Sequence, residues 1–195
     1  MSKTLIYETS NLYIQDGCIP EFVVGQDTNF SVEAHLLDKI VPIETSKIQL
    51  HYIKDAIYEV VGFVYTKANG NAFIDFGMFK AFMTDNEVLE IGKYFQATVK
   101  FDYDLWNYFN LYVDPRNEGY KYYEEIKQTG KIVSITVDTS LYIPYKYPRS
   151  FTKEGVERKF DIKIDQTNCW DDESNYSNGS INYLIEVELR ECLKH

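Results

Sequence analysis

Two segments of the chain place tryptophan and tyrosine directly beside carboxylates. Their residues are Asp102, Asp104, Trp106 and Tyr108 in the first segment and Trp170, Asp171, Asp172 and Glu173 in the second. Aromatic rings can anchor a protein interface, and carboxylates on its rim attract a cationic partner. We therefore predict that these residues bind a basic protein. The alternatives are that Trp106 closes the end of the core and that the second segment is a solvated acidic loop.

The histidines are few, and two of them fall on predicted strands. If the strands carrying His35 and His51 form a hairpin closed by residues 38–46, the two imidazoles and Glu33 would share one outward face. Such a set can bind zinc. The alternative is two unrelated surface histidines. Since nothing else in the sequence supports this strand pairing, we predict no metal site and no cofactor.

Signatures of catalysis are missing from the sequence. No Gly-x-Ser-x-Gly elbow, cysteine-protease signature or glycine-rich phosphate loop occurs. Asp75, within Phe73–Gly77, is the most interesting single carboxylate, because burial would raise the pKa of its side chain. A hydrolase using Asp75 or the His35/His51 face would need a deep pocket there. We predict that the protein is not an enzyme.

The net charge of the chain argues against two classes of binding partner. The chain has 195 residues, with 20 Lys and Arg against 30 Asp and Glu, a net charge of −10. Nucleic-acid backbones and anionic membrane surfaces require clustered cations, so neither is predicted as a partner. The apolar run after Met1 is too short for a signal peptide, and the three cysteines follow no motif spacing. These features predict a cytoplasmic protein.

The elements that would position these residues are strands, because apolar and polar residues alternate repeatedly. Alternation is typical of antiparallel strands with one buried face. The clearest segments are residues 30–36, 95–103, 160–164 and 181–189, and further strands are expected at 5–14, 48–53 and 132–143. We predict an all-β antiparallel barrel or sandwich of about nine strands, with a coiled barrel like the oligonucleotide-binding fold as one form.

One turn is specified locally. Asn69-Gly70 lies between two apolar runs, and this pair favours a two-residue type I′ hairpin. A regular register would then place Tyr65 opposite Ile74 and Gly62 opposite Gly77. Val61, Phe63 and Tyr65 would lie on the large apolar side, and the two glycines would leave a bare patch of backbone.

Helix signals are sparse, and one or two short helices are expected. The candidates are residues 84–89 and a segment from Asn117 to Gly130, which would end at that glycine. Residues 1–195 are predicted to form a single β domain, with a weak boundary near 114–130.

The function predicted from these features is that of a cytoplasmic, acidic inhibitor that binds a basic protein, such as an immunity protein that neutralises a cationic toxin. An acidic surface speeds association with such a partner. The alternative is a module that binds a small ligand or carbohydrate, for which exposed aromatic side chains should form one row on a sheet face. A hydrolase is the third candidate.

Overall fold

The protein is nearly all β, which confirms the predicted fold class. The computed structural model describes residues 3–15, 17–84, 86–104, 122, 125–140, 143–144, 151–152, 158–167 and 182–190. Within them lie fourteen strands and the helix α1 (Asn11–Gln15), and Tyr122, Glu125 and Ile126 are also helical. The strands are β1 (Thr4–Ser10), β2 (Asp27–Phe30), β3 (Val32–Leu36), β4 (Val41–Ile43), β5 (Gln49–Lys54), β6 (Ile57–Ala68), β7 (Asn71–Asp75), β8 (Lys80–Thr84), β9 (Tyr94–Tyr103), β10 (Gln128–Asp138), β11 (Ile143–Pro144), β12 (Phe151–Thr152), β13 (Phe160–Ile164) and β14 (Asn182–Leu189).

Five of these strands close into a barrel. Its pairing order is β3–β8–β7–β6–β9 and back to β3, and only the β3–β8 pair is parallel. Strand β9 is long enough to pair with β6 through its first part and with β3 through its second part. The barrel therefore closes on β9, and each long alternating strand turns one face inward.

The remaining large strands extend from the same β9. Strand β1 pairs with β9 in parallel and with β14 antiparallel, and β10 lies on the other side of β14. Strand β2 pairs with β10 and is separated from β3 only by Ser31. The chain therefore passes from the outer strands into the barrel between β2 and β3, and β9 pairs with strands of both halves of the sheet.

One hydrophobic core joins the barrel to the outer strands. It contains Tyr7 from β1, Phe101 from β9, Ile135 from β10 and Val187 from β14. The buried faces of β9 and β14 are those that the alternation predicts. Tyrosine contributes to this core as well as to the surface, since Tyr7 and Tyr183 are completely buried.

The predicted hairpin is present, but its register is only partly right. Asn69 and Gly70 both have positive φ, as a type I′ turn requires, and Lys67 lies opposite Ala72, as it should next to a two-residue turn. A bulge at Tyr65 then shifts the pairing, so that Val64 lies opposite Ile74. The bulge also inverts the apolar side: Val60 and Val64 enter the core, whereas Phe63 and Tyr65 are half-buried.

The bare patch predicted from Gly62 and Gly77 is therefore wrong. Gly62 lies opposite Phe95 of β9, and a Cβ there would lie 2.7 Å from Cγ2 of Ile74 and 3.0 Å from the Phe95 ring. Gly77 instead lies in the turn between β7 and β8. The glycine at position 62 is needed because core side chains occupy the space of its missing Cβ.

Several predicted boundaries also need correction. The first strand stops at Ser10, and α1 replaces its predicted end. Strand β13 pairs with β10 but has no well-buried face, and Ile162 is exposed. The helix predicted at 84–89 is wrong in its described part, where Asn86 forms turns with Val88 and Leu89. In the segment from Asn117 to Gly130, Tyr122, Glu125 and Ile126 are helical, in agreement with the prediction, and residues 117–121, 123 and 124 lie outside the described part of the chain. Gly130 lies inside β10, so it does not end this helix.

Candidate functional site

Three neighbouring strands bring carboxylates together on the face of the sheet opposite the core. Glu8 of β1 lies opposite Asp102 of β9, which in turn lies opposite Glu33 of β3. The residues before them, Tyr7, Phe101 and Val32, point into the core. Because side chains alternate along a strand, the three carboxylates must point to the other face. This face is the candidate site.

Glu8 is the buried end of the site, and Arg158 neutralises it. The guanidinium donates from Nη1 to Oε2 and from Nη2 to Oε1, both at 2.7 Å, and Nδ2 of Asn182 donates to Oε1 at 2.8 Å. The same Nη2 lies 3.0 Å from Oδ2 of Asp138, which is fully buried. A two-point contact of this kind fixes both partners in position. Arg158 therefore ties the segment before β13 to β1 and β10.

Asp102 is the open centre of the site. Its Oδ2 lies 2.9 Å from Nζ of Lys100 and 3.3 Å from Nε2 of His35, which is also 3.8 Å from Oε2 of Glu33. Lys100 also contacts Oε2 of Glu8 at 3.3 Å. The other oxygen of Asp102, Oδ1, is buried with no hydrogen-bond partner in the described part of the structure. Asp102 can therefore accept more hydrogen bonds than the described neighbouring groups donate to it.

A cavity of about 250 Å³ opens beside these groups. It is lined by Glu8, Thr9, Ser10, Tyr13, Glu33, His35, Asp102, Tyr103 and Asn182. The lining combines carboxylates with a phenol, hydroxyls, an amide and an imidazole. This composition can hold a positively charged group through the carboxylates and orient it through the neutral donors and acceptors.

Two carboxylates of the cavity resist ionisation. Burial raises the pKa of Glu33, and the charge of Asp102 raises it further, while His35 acts in the opposite direction. Burial also raises the pKa of Asp102, against the opposing effect of Lys100. For Arg158, burial alone would lower the pKa, but the hydrogen bonds and charges of Glu8 and Asp138 outweigh it and raise the pKa. Arg158 is therefore a permanent cation, whereas Glu33 and Asp102 would gain from an additional one.

The predicted site residues fall into three groups. Asp102 lines the cavity with a partly buried side chain. Asp104 does not: it is fully buried, accepts a hydrogen bond from Oγ of Ser31 at 3.1 Å and donates its N–H to the Ser31 carbonyl. The expectation of an exposed charge is wrong for Asp104, because it secures the junction of β2 and β3. Trp106, Tyr108, Trp170, Asp171, Asp172 and Glu173 lie outside the described residues.

The structure also shows where the residues of the zinc and hydrolase hypotheses lie. His35 lies opposite Lys100 on β9 and His51 lies opposite Glu59 on β6, so the hairpin that would unite them does not form. Across the described residues, no group of three or more His, Cys, Asp or Glu side chains is arranged to hold a metal ion. Asp75 accepts a hydrogen bond from the Gly77 N–H at 2.6 Å, which assigns it to the β7–β8 turn.

Sequence reasoning missed most of the cavity. The alternation predicts that Glu33 and His35 share one outward face, but Glu8 of the cavity and the neighbouring Lys100, Asp138 and Arg158 carry no signal in the sequence. Their partners are far apart in the chain: Arg158 and Glu8 are separated by 150 residues. The parallel pairing of β1 with β9 joins Glu8 to Asp102, and the chain of pairings β13–β10–β14–β1 places Arg158 near Glu8. No local pattern in the sequence predicts these pairings.

In the described part of the chain, no helix has the length and apolarity needed to cross a membrane. Comparisons of the chain with protein-family models, with curated proteins and with solved structures find no match.

Proposed function

We propose that this protein is an acidic binding protein that captures and inhibits a basic protein partner in the cytoplasm, in the manner of an immunity protein that neutralises a cationic toxin. The observation that carries the proposal is the cavity formed by Glu33, His35 and Asp102, where two carboxylates have raised pKa values and one carboxylate oxygen has no hydrogen-bond partner among the described residues. An arginine or lysine side chain of the partner would supply the missing positive charge and hydrogen bonds.

The charge of the whole chain supports the same partner. With a net charge of −10, the protein attracts a basic protein at long range and repels nucleic acids and other acidic surfaces. The cavity then provides a short-range contact that a diffuse acidic surface lacks. Long-range attraction sets the association rate, and the cavity contact sets the lifetime of the complex.

Of the two alternatives, the carbohydrate-binding module has less support. Among the exposed large apolar side chains of the described residues, only Tyr13 and Tyr52 are aromatic. They lie on α1 and β5 and do not form a row on one sheet face. Stacking of a sugar on a flat row of aromatic rings therefore has no counterpart in this part of the chain.

The hydrolase alternative has one observation in its favour, since His35 lines a cavity with two carboxylates of raised pKa. Such groups are common in acid–base catalysis. Incubation with a panel of chromogenic esters and glycosides tests it. A turnover that disappears in His35→Ala would favour the hydrolase over the binding protein.

The binding proposal is tested with a synthetic arginine-rich peptide as the probe. Glu33→Gln and Asp102→Asn should each weaken binding by about tenfold if the cavity holds a cationic group. The matched control is Asp165→Asn, which removes the same charge from an exposed site next to β13. Equal weakening by all three variants would show that only net charge matters and would contradict a role for the cavity.

A further inference from the structure

His35 lies beside both carboxylates that a bound cationic group would contact. Its Nε2 atom is 3.3 Å from Oδ2 of Asp102 and 3.8 Å from Oε2 of Glu33, and all three residues line the cavity of about 250 Å³, the carboxylate cavity. The imidazole is 45% exposed, so it exchanges protons with the solvent. A positive charge on His35 would therefore neutralise the same carboxylates that the proposed function assigns to the partner's arginine or lysine.

The charged groups described around His35 leave the site negative. Lys100, opposite His35 on β9, contacts both Asp102 and Glu8. The described set contains four carboxylates and two cations, which are Glu8, Glu33, Asp102, Asp138, Lys100 and Arg158. When all six are ionised, the site has a charge of −2 with a neutral His35 and of −1 with a protonated His35. Protonation of one imidazole thus halves the local charge that would hold a cationic group.

The other described neighbours of His35 do not offset this change. Tyr13 and Tyr103 also line the carboxylate cavity, and a phenol is neutral at pH 7. Burial and the charge of Asp102 raise the pKa of Tyr13 further. Towards β8, His35 borders a second cavity, of about 190 Å³, whose other described lining residues carry no charge.

Histidine is the side chain whose ordinary titration falls between about pH 5 and pH 8. At the upper end of this range the imidazole is neutral, and Glu33 and Asp102 depend on an external cation. At the lower end the imidazolium of His35 lies beside both and supplies the positive charge from within the protein. An arginine of the partner stays charged over the whole range, so the change in charge occurs on this protein.

We propose that His35 is a pH switch for the cavity: its neutral form allows the basic partner to bind, and its protonation in mildly acidic conditions releases that partner from Glu33 and Asp102. The inference rests on the proposed function, because it concerns the same cationic contact. It adds a property that the net charge of the chain does not give, which is control by a single proton. By the reciprocity of linked equilibria, binding of the partner must favour loss of the proton from His35.

Binding of the synthetic arginine-rich peptide, measured from about pH 8 to about pH 5.5 at constant ionic strength, tests this proposal. The wild-type protein should lose about tenfold in affinity over this range, a typical coupling between two linked sites. Glu33 and Asp102 also lose charge in acid, and His35→Gln isolates their contribution. The ratio of the affinities at the two ends of the range should therefore be clearly smaller in His35→Gln than in wild type.

Calorimetry in buffers of different ionisation enthalpy counts the protons released on binding. At about pH 6.5 the wild-type protein should release a fraction of a proton per peptide, and His35→Gln should release clearly less. At about pH 8, where the imidazole is neutral, the release from wild type should vanish.

Two further variants complete the test. His51→Gln removes an exposed histidine of β5 that lies opposite Glu59, away from the carboxylate cavity, and should retain the pH dependence of wild type. His35→Lys has a permanent charge and should bind more weakly than wild type at about pH 8.

The outcomes separate the switch from the proposed function. An equal loss of affinity with pH in wild type and His35→Gln, or equal proton release by both, would overturn the switch alone. Tight binding by His35→Lys at about pH 8 would do the same. Absence of peptide binding to the wild-type protein at that pH would overturn both proposals.

Discussion

Two buried core tyrosines, Tyr58 and Tyr7, differ in the hydrogen bonding of their hydroxyl groups. The hydroxyl of Tyr58 accepts a hydrogen bond from the Ile6 N–H at 2.8 Å and donates one to the Ile6 carbonyl at 3.2 Å. The Tyr58 hydroxyl thereby gives both backbone polar groups of Ile6 a hydrogen-bond partner. Ile6 lies two residues before Glu8, where β1 pairs with Asp102 of β9. The hydroxyl of Tyr7 is buried without a partner in the described residues.

The substitution of each tyrosine by phenylalanine should therefore have opposite consequences. Tyr58→Phe leaves both polar groups of Ile6 unpaired and should lower the free energy of unfolding by about 1–3 kcal/mol. Tyr7→Phe removes a hydroxyl that gains nothing from burial and should be neutral or stabilising. Urea unfolding of the two variants measures the difference. Equal losses would show that the hydroxyl of Tyr58 has no special role.

The raised pKa of Glu33 predicts a stability penalty for its charge. Burial is the main cause, so the folded protein holds the proton to a higher pH than the unfolded chain does. As the pH rises from the ordinary carboxylate range through the raised pKa, the unfolded state releases its proton first and stability falls. At a pH below both values Glu33 is protonated in both states and no penalty exists.

Glu33→Gln should consequently raise the melting temperature at neutral pH, and this gain should shrink in acid. The same variant should bind a basic peptide less well, since residues kept for binding often cost stability. Thermal unfolding across a pH series measures the gain, with Asp165→Asn as the control. A gain that is the same in acid and at neutral pH would contradict the assigned cause.

The β6–β7 hairpin is the element whose geometry follows most directly from sequence. Gly70 has φ of 75° and open space around its missing Cβ, so a substitution there tests backbone conformation without steric contact. Gly70→Val should lower the free energy of unfolding by about 1–2 kcal/mol or more, because a β-branched residue disfavours positive φ. Gly70→Asn is the control and should cost clearly less, since asparagine tolerates this conformation. Similar losses in both variants would argue against the type I′ turn.

Strands and turns with a strong local sequence pattern could be predicted, whereas the strands with which they pair could not. The alternation of β9 and β14 and the Asn69-Gly70 turn depend on neighbouring residues, and the structure agrees with them. The bulge at Tyr65 shifts the register of the hairpin, and the same strand pairs along its other edge with β9, so the turn residues alone do not set its pairing. The candidate site was lost for the same reason, because its central pairing joins Glu8 to Asp102 across the chain.

For the whole molecule, the shared core predicts a single unfolding transition. Barrel strands and outer strands contribute to one cluster of buried residues, and β9 pairs with strands of both sets. Ile126, from the segment proposed as a weak boundary, is itself buried against Phe73 and Phe82 of the barrel. Calorimetric and van't Hoff enthalpies should therefore agree. Two resolved transitions would indicate that the halves fold separately.

The central claim is that an acidic molecule uses the carboxylate cavity to hold a basic partner. The most direct test is the kinetics of binding to the synthetic arginine-rich peptide over a salt series, for the wild-type protein and for Glu33→Gln and Asp102→Asn. Electrostatic attraction predicts that association slows steeply as salt rises, and the cavity predicts that both variants dissociate faster than wild type while Asp165→Asn does not. An association rate that ignores salt, or dissociation rates unchanged in Glu33→Gln and Asp102→Asn, would contradict the claim.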